Sequence, residues 1–426
     1  MNIIIRDILA VVGAETVRSD IYIGNGTILS LNERPMGFVP DKVISGADRL
    51  AIPALINCHT HAYMSLFRNI ADDLPFNEWL FDRIMPLEDI IDGEDAYWGC
   101  MLSCAEMIKS GTGTFCDMHM FPNATTEAVK KSGMRAVVSR GLSGGKNDAA
   151  GGARRINEAK AELERYSSEP LISFMLAPHA VFTCDRDYIK EIMRLAERLS
   201  LPLNIHISES AAEVKSSLSE YGQTPVEYLD SIGFFAHKTL AAHCVHLTEK
   251  DMDILSQRNV SVAANPKSNL KLGNGIAPIK ALHDRGINIC IGTDSAASNN
   301  SLNMFSEMNF TALLHKGTSG DASAISSSEV LSMATENGAE ALGIDCLGKI
   351  EVGYKADIAL ISTSNPQMQP MNNPISALSY SATGGEVDTM ITGGEVVMEN
   401  RRLTTLDEEE IYHNIKRITK KLGGNK

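Results

Sequence analysis

Between residues 54 and 349 short β-rich runs alternate with longer helix-patterned stretches, and this alternation limits the chain more than any other feature. A strand, a helix and a second strand of the same sheet form a parallel crossover, so a long series of such units builds a parallel sheet flanked by helices. The runs cover residues 52–58, 114–118, 135–139, 172–177, 202–207, 239–243, 259–264 and 288–293. Eight of them predict an α/β chain folded as a (β/α)8, TIM-like barrel over 54–349.

The two ends have a different pattern. Residues 1–53 and 350–400 carry short strand-like pieces with turn residues (IYIGNGTILSL, ADIALIS, TMITGGEVVMEN) and no long helix between them. They are predicted to pair into one small composite β-sandwich, into which the barrel is inserted. The last segment, 401–426, contains DEEEIYHNIKRITKKL, with acids first and bases last. That order suits a C-terminal surface helix, because the helix dipole favours negative charge at the start and positive charge at the end.

Composition narrows the partners. A chain of 426 residues with 44% hydrophobic content can bury one large core and a smaller one. A net charge of -14 leaves no excess of lysine and arginine to neutralise phosphates, which argues against nucleic acid and for a small molecule. The eight cysteines form no paired framework, and Cys58, Cys116, Cys244 and Cys290 lie in apolar runs, as expected of reduced thiols in the cytoplasm. The start, MNIIIRDILAVVGAETVRSD, lacks the layout of a secretory signal, and no apolar run reaches the roughly 20 residues that span a bilayer.

Polar residues gather where the runs end. His59 and His61 close the first, His179 the fourth, His206 and Glu209 the fifth, His243 the sixth and Asp294 the eighth. The C-terminal ends of barrel strands converge on one mouth, where active sites are built. Residues i and i+2 of a strand face the same side, so His59 and His61 can address one ion. His206 and Asp294 complete a set of neutral and anionic N/O ligands suited to zinc or a similar divalent metal, with a position left for water. A single strand histidine is more often a packed core residue than a ligand. The ordered set, spread over separate strand ends, points to a site.

Longer segments carry a resemblance. NCHTHAYMSLFRNIADDLPFNEWL (57–80), PLE (86–88), GMRAVVSRGL (133–142), APHAVFTC (177–184), IHISE (205–209), AAHCVHL (241–247), NPKSNLKLGNGIAPI (265–279) and GTDSAASNNSLN (292–303) resemble the amidohydrolase superfamily, and within it the methylthioadenosine/S-adenosylhomocysteine deaminases. The resemblance implies an inserted barrel, one metal held by His59, His61, His206 and Asp294, and an adenosine-type nucleoside as substrate. It leaves open whether the resident ion is Zn2+, Fe2+ or Mn2+, and whether the chain forms a homo-oligomer.

Deamination of a cyclic amidine needs hydroxide at the amino-bearing carbon, a proton on the neighbouring ring nitrogen and a proton for the departing ammonia. A divalent metal meets the first need by lowering the pKa of water towards about 7. Glu209, three residues beyond a ligand, is the candidate acid for the ring nitrogen. The resemblance assigns His243 to electrostatic support of the water and Asp294 to carrying its proton, and it places Asp294 and Glu209 against the substrate as well. It further implies that Glu88 accepts from the ribose hydroxyls and that His179 lines the nucleoside pocket. Arg140 and one of Arg154 or Arg155, with Arg155 preferred, would clasp a homocysteine carboxylate. Trp79 is assigned to the core.

Two departures from the family pattern stand out. Pro53-Ala54 replaces the usual P-G, and Gly111-Thr112-Gly113-Thr114 replaces GTTT. The irregular stretch 144–155 leaves the 5' substituent undetermined. Binuclear relatives bridge two metals through a lysine of the fourth strand, and ISFMLAPHA has none. The competing readings are a related mononuclear enzyme acting on adenosine, 5'-deoxyadenosine, a guanine- or cytosine-type base or a triazine, and a barrel that only binds a ligand.

Overall fold

The two ends of the chain meet in one sheet. In the computed structural model, which describes residues 1–423, nine strands hydrogen-bond into it. Ile3–Val12, Glu15–Gly24, Thr27–Leu31, Lys42–Ser45 and Arg49–Pro53 come from the N-terminal segment, and Ile358–Ser362, Val387–Thr392, Glu395–Glu399 and Arg402–Leu403 from the C-terminal one. The seam is the antiparallel pairing of Arg49–Pro53 with Ile358–Ser362, where Ala51 faces Leu360. Ile3–Val12 serves two parallel partners in turn, Lys42–Ser45 and then Arg49–Pro53. The change falls at a register shift between Ile5 and Ile8, where Asp7 takes φ 51°. Strand alternation puts Ile3, Ile5, Ile21, Ile23, Ile358 and Leu360 into a core of their own.

Between Pro53 and Ile358 the strands are parallel. Leu55–Thr60, Thr112–His119, Arg135–Leu142, Ile172–Phe174 and Ala177–Pro178 form one sheet, and Leu203–Ile207, Thr239–His243, Ser261–Ala264 and Ile289–Ile291 another. They are buried along nearly their whole length, as helices on the outer side require. The run expected at 172–177 is broken in two. Leu176 turns its N–H to Pro202 O and its C=O to Asn204 N, so its backbone serves the next strand instead of Arg135–Leu142. At the opposite margin Asp294 N donates to the carbonyl of His59 at 2.9 Å, and the Asn57 side chain exchanges two hydrogen bonds with Thr293.

The connecting helices follow local rules. Arg186–Leu199 starts at Asp185, whose carboxylate accepts from Tyr188 N, and buries Tyr188, Ile189, Ile192, Leu195 and Ala196 on one stripe. Glu408–Lys421 is capped by Asp407 and buries Ile411 and Ile418. It docks on Gly93–Lys109 through Lys109–Glu408 and Lys421–Asp95 ion pairs. Residues 424–426 of the segment predicted as the C-terminal helix lie outside the described residues. No helix among the described residues is long and apolar enough to cross a membrane. Seven cysteines are buried, Cys346 is exposed, and all eight are free.

The two departures from the family pattern prove to be one exchange. A Cβ added at Gly113 would lie 2.6 Å from the Cβ of Ala54, at a register shift between the first two parallel strands. The methyl carried by Ala54 occupies the space that a side chain at 113 would need. Gly113→Thr alone should therefore cost about 1–3 kcal/mol through overpacking. Ala54→Gly together with Gly113→Thr should recover most of that loss, as read by denaturant unfolding of the two single variants and the double variant.

Candidate active site

Parallel strands deliver their C-terminal ends to one side, and there the ionisable residues meet. His59 lies in Leu55–Thr60, His206 in Leu203–Ile207 and His243 ends Thr239–His243, while His61 directly follows its strand and Glu209 and Asp294 come shortly after Ile207 and Ile291. Asp294 Oδ1 is 3.6 Å from His59 Nε2 and 3.4 Å from His61 Nε2. His61 Nε2 and His206 Nε2 are 3.4 Å apart. His59, His206 and His243 also bring ligating atoms within 4.8 Å of one another, so His243 borders the same point. Gly292 makes room for this, since a Cβ there would stand 2.7 Å from the backbone nitrogen of His59.

The imidazoles are prepared for a cation. His61 Nδ1 donates to Met118 O at 2.6 Å and His206 Nδ1 to His179 O at 2.8 Å, which leaves both Nε2 atoms as lone pairs aimed at each other. Two acceptors at 3.4 Å repel unless a positive charge lies between them. His59 has no hydrogen-bond partner on either ring nitrogen although it is fully buried. Burial pushes the pKa values of His59 and His206 well below the usual imidazole range and that of His179 down to about 4, so all three stay neutral, the form that ligates metal. Burial acts to raise the Asp294 carboxyl, but His61, His243 and His59 outweigh it and hold it well below the usual carboxylate range. Its other oxygen, Oδ2, accepts from Ser268 and Ser298 at 2.6 and 2.8 Å. The donor set fits a divalent metal, with orienting partners behind His61, His206 and Asp294.

Glu209 lies against this cluster, with Oε2 3.8 Å from His243 Nε2. Burial, reinforced by the charge of Asp294, pushes its carboxyl up to about 8. The pocket around these groups is walled by Met64, Phe76, Trp79, Leu80, Met118, Met120 and Phe182, and Glu88 and His179 line it too. Glu88 accepts from the Tyr63 hydroxyl, and burial raises its carboxyl. Trp79, assigned to the core, is buried and borders the pocket as well.

The arginines are placed differently. Arg140 and Arg155 are not among the lining residues. The Arg140 guanidinium is buried and directs Nε and Nη2 to Glu158 Oε2, both at 3.0 Å. Arg155 Nη1 donates to Ser143 O at 2.9 Å and Asp148 Oδ2 at 2.6 Å, and Ser143 does line the pocket. Arg154 is exposed and also pairs with Glu158.

Sequence reading missed several supports. Ser268, Asn269 and Asn274 stand in the segment quoted for the resemblance, but nothing local says which groups they touch. The backbone carbonyls of Met118 and His179 carry no residue-type signal at all. His119, at the end of the second parallel strand, pairs with Glu162 at 2.8 Å out of the pocket.

Parallel strands that gather three imidazoles and an aspartate beside a buried glutamate define a metal-dependent hydrolase. The chain belongs to the amidohydrolase family, which it matches over residues 50–397. It is 44% identical over 406 residues to 5-methylthioadenosine/S-adenosylhomocysteine deaminase of Caldanaerobacter subterraneus subsp. tengcongensis, covering 95% of this chain and 94% of the relative. The enzyme of the same name from Thermoanaerobacter pseudethanolicus is 41% identical over 99% of both chains. The structure is similar to the crystal structure of an adenosine deaminase from Xanthomonas campestris with bound zinc, at TM-score 0.94 and 32% identity, covering 99% of this chain and 98% of that one.

If the imidazoles are metal ligands, His206→Ala should lose stoichiometric metal. Elemental analysis after dialysis checks this, and a full equivalent retained by the variant would remove His206 from the site.

Proposed function

We propose that this chain hydrolytically deaminates adenosine-type nucleosides, converting 5'-methylthioadenosine to 5'-methylthioinosine and S-adenosylhomocysteine to S-inosylhomocysteine with release of ammonia. One observation carries the reading. A buried carboxylic acid, Glu209, stands beside the cluster of His59, His61, His206 and Asp294 in an apolar pocket that Glu88 also lines. The deaminases at 41–44% identity support the substrate class.

The proposed ligands are His59, His61, His206 and Asp294, and zinc is the proposed ion, with Fe2+ or Mn2+ served by the same donors. Held there, a divalent metal supplies a Lewis acid that makes water a nucleophile at neutral pH. The side chains supply the rest. Glu209, protonated at neutral pH by its burial, gives a proton to the ring nitrogen next to the amino-bearing carbon. Asp294, ionised, takes a proton from the attacking water and passes it to the departing amine, and the second proton of that water restores Glu209 as the carbon–nitrogen bond breaks and the carbonyl forms. His243 stabilises the charge that develops on the water oxygen. Glu88 accepts from the ribose hydroxyls, and His179, kept neutral, lines the nucleoside site.

At the 5' end the arginines are the expected partners of a homocysteine carboxylate, with Arg155 reaching the pocket through Ser143. That carboxylate must displace Glu158 from Arg140 or Asp148 from Arg155 to be paired. A methylthio group needs no such exchange among Met64, Met118, Met120 and Phe182, so 5'-methylthioadenosine is the better match of the two.

The same reading takes 54–349 as a (β/α)8 barrel inserted into a small composite β-sandwich of 1–53 and 350–400, followed by a C-terminal segment that carries the helix Glu408–Lys421. The Leu176–Leu203 bridge and the Asp294–His59 backbone hydrogen bond support closure at the two margins of the parallel sheets.

Glu209→Gln should keep its metal and lose at least about 100-fold in kcat, the range for a missing general acid. Ammonia release measured on metal-replete variant decides it, and near-normal turnover would exclude Glu209 from the proton transfers. Arg140→Met should lower kcat/KM for S-adenosylhomocysteine at least about tenfold while sparing 5'-methylthioadenosine, as loss of a charged pair predicts. Equal losses on both would reject carboxylate recognition by Arg140.

A further inference from the structure

The three groups assigned to proton handling come from three different strand ends, and one short stretch of chain touches all of them. After Ser261–Ala264 the chain forms the helix Pro266–Lys271, which Gly273, at φ +68°, ends with a reversal. Ser268 Oγ donates to Asp294 Oδ2 at 2.6 Å. His243 Nδ1 meets Asn269 Oδ1 at 2.8 Å. Asn274 Nδ2 donates to Glu209 Oε1 at 3.0 Å. All three side chains are at least nine-tenths buried, so none of these bonds competes freely with water.

The stretch is itself held in place. Leu272 N donates to Ser268 O at 3.0 Å and Asn274 N to Asn269 O at 2.9 Å, which couples the three residues through their backbone. Lys271 Nζ pairs with Asp72 at 2.6 Å and donates to Ala297 O at 3.0 Å.

We infer that Ser268–Asn274 is a positioning element that sets which atom of each of these groups faces the site, an inference that rests on the deaminase reading. Asn269 Oδ1 accepts from a proton-bearing Nδ1, which fixes the ring of His243 and turns Nε2 to the site. Asn274 occupies Glu209 Oε1 with an N–H and leaves Oε2, the oxygen facing His243 Nε2, free for proton transfer. Ser268 occupies Asp294 Oδ2 and leaves Oδ1 for His59 and His61.

The two asparagines separate this role from simple packing, because the same isosteric change has opposite consequences. Asn269→Asp keeps an oxygen acceptor opposite His243 and should stay within about threefold of wild-type kcat, whereas Asn269→Leu, which removes it, should fall at least about tenfold. Asn274→Asp replaces a donor with a carboxylate against Glu209 and should fall at least about tenfold, with KM changed less than about threefold. Imidazole 15N shifts give a readout independent of turnover. His243 should be an Nδ1–H tautomer in wild type and Asn269→Asp, and a mixture in Asn269→Leu. Similar kcat values for the two aspartate variants, or unchanged His243 shifts in Asn269→Leu, would overturn the positioning role. Should Asn269→Leu fail to fold, the aspartate pair decides alone. A wild-type enzyme inert towards both nucleosides would instead reject the deaminase reading, and the tautomer experiment would still stand or fall separately.

Discussion

Two imidazoles whose Nδ1 protons are tied to backbone carbonyls set the character of this molecule. His61 and His206 both turn Nε2 inward, and the resulting 3.4 Å contact suits a positive charge held between them. Because the acceptors are main-chain oxygens in or just past neighbouring strands, the parallel ladder itself aims the two rings. Asp294 is controlled in the same way, by its backbone N–H on the carbonyl of His59 and by two serine hydroxyls on Oδ2. A carboxylate so fully engaged has one oxygen left for the site.

Such aim has a conformational cost. Ser208, His243, Cys244 and Asp294 all adopt positive φ, between 49° and 73°, although none is glycine. Each departs from the favoured backbone regions by an amount worth about 1–3 kcal/mol. The residues sit where strands end and side chains must bend over the mouth, and the buried hydrogen bonds around them offset the strain. Stability is given up where geometry for chemistry is gained.

The pocket divides its tasks by polarity. Its floor carries the histidines and carboxylates, while its walls are thioethers and aromatic rings suited to a purine and an uncharged 5' group. Low polarity in the walls raises the Glu209 carboxyl and lowers the imidazoles, so one environment prepares an acid and a set of neutral ligands. Arg140 and Arg155 are paired with Glu158 and Asp148 and lie outside the pocket wall.

Much of the architecture was legible in the sequence, because strand alternation, helix caps and the residues that end each strand are local. Six of the eight predicted runs match a single parallel strand, 52–58 straddles Arg49–Pro53 and Leu55–Thr60, and the helix at 408–421 follows from its own charge order and cap. His59, His61, His206 and Asp294 could be grouped because strand ends of a parallel sheet must share one side. What a chain segment does with a distant partner was not legible. The break at Leu176 depends on Pro202 and Asn204, the exchange between Ala54 and Gly113 on a contact between two strands, and the fate of Arg140 on Glu158. Asn269 and Asn274 look like ordinary polar loop residues until the fold puts His243 and Glu209 against them. Backbone preference and hydrophobic period are written residue by residue, whereas a hydrogen-bond partner is chosen only when separate strands are brought within 3 Å.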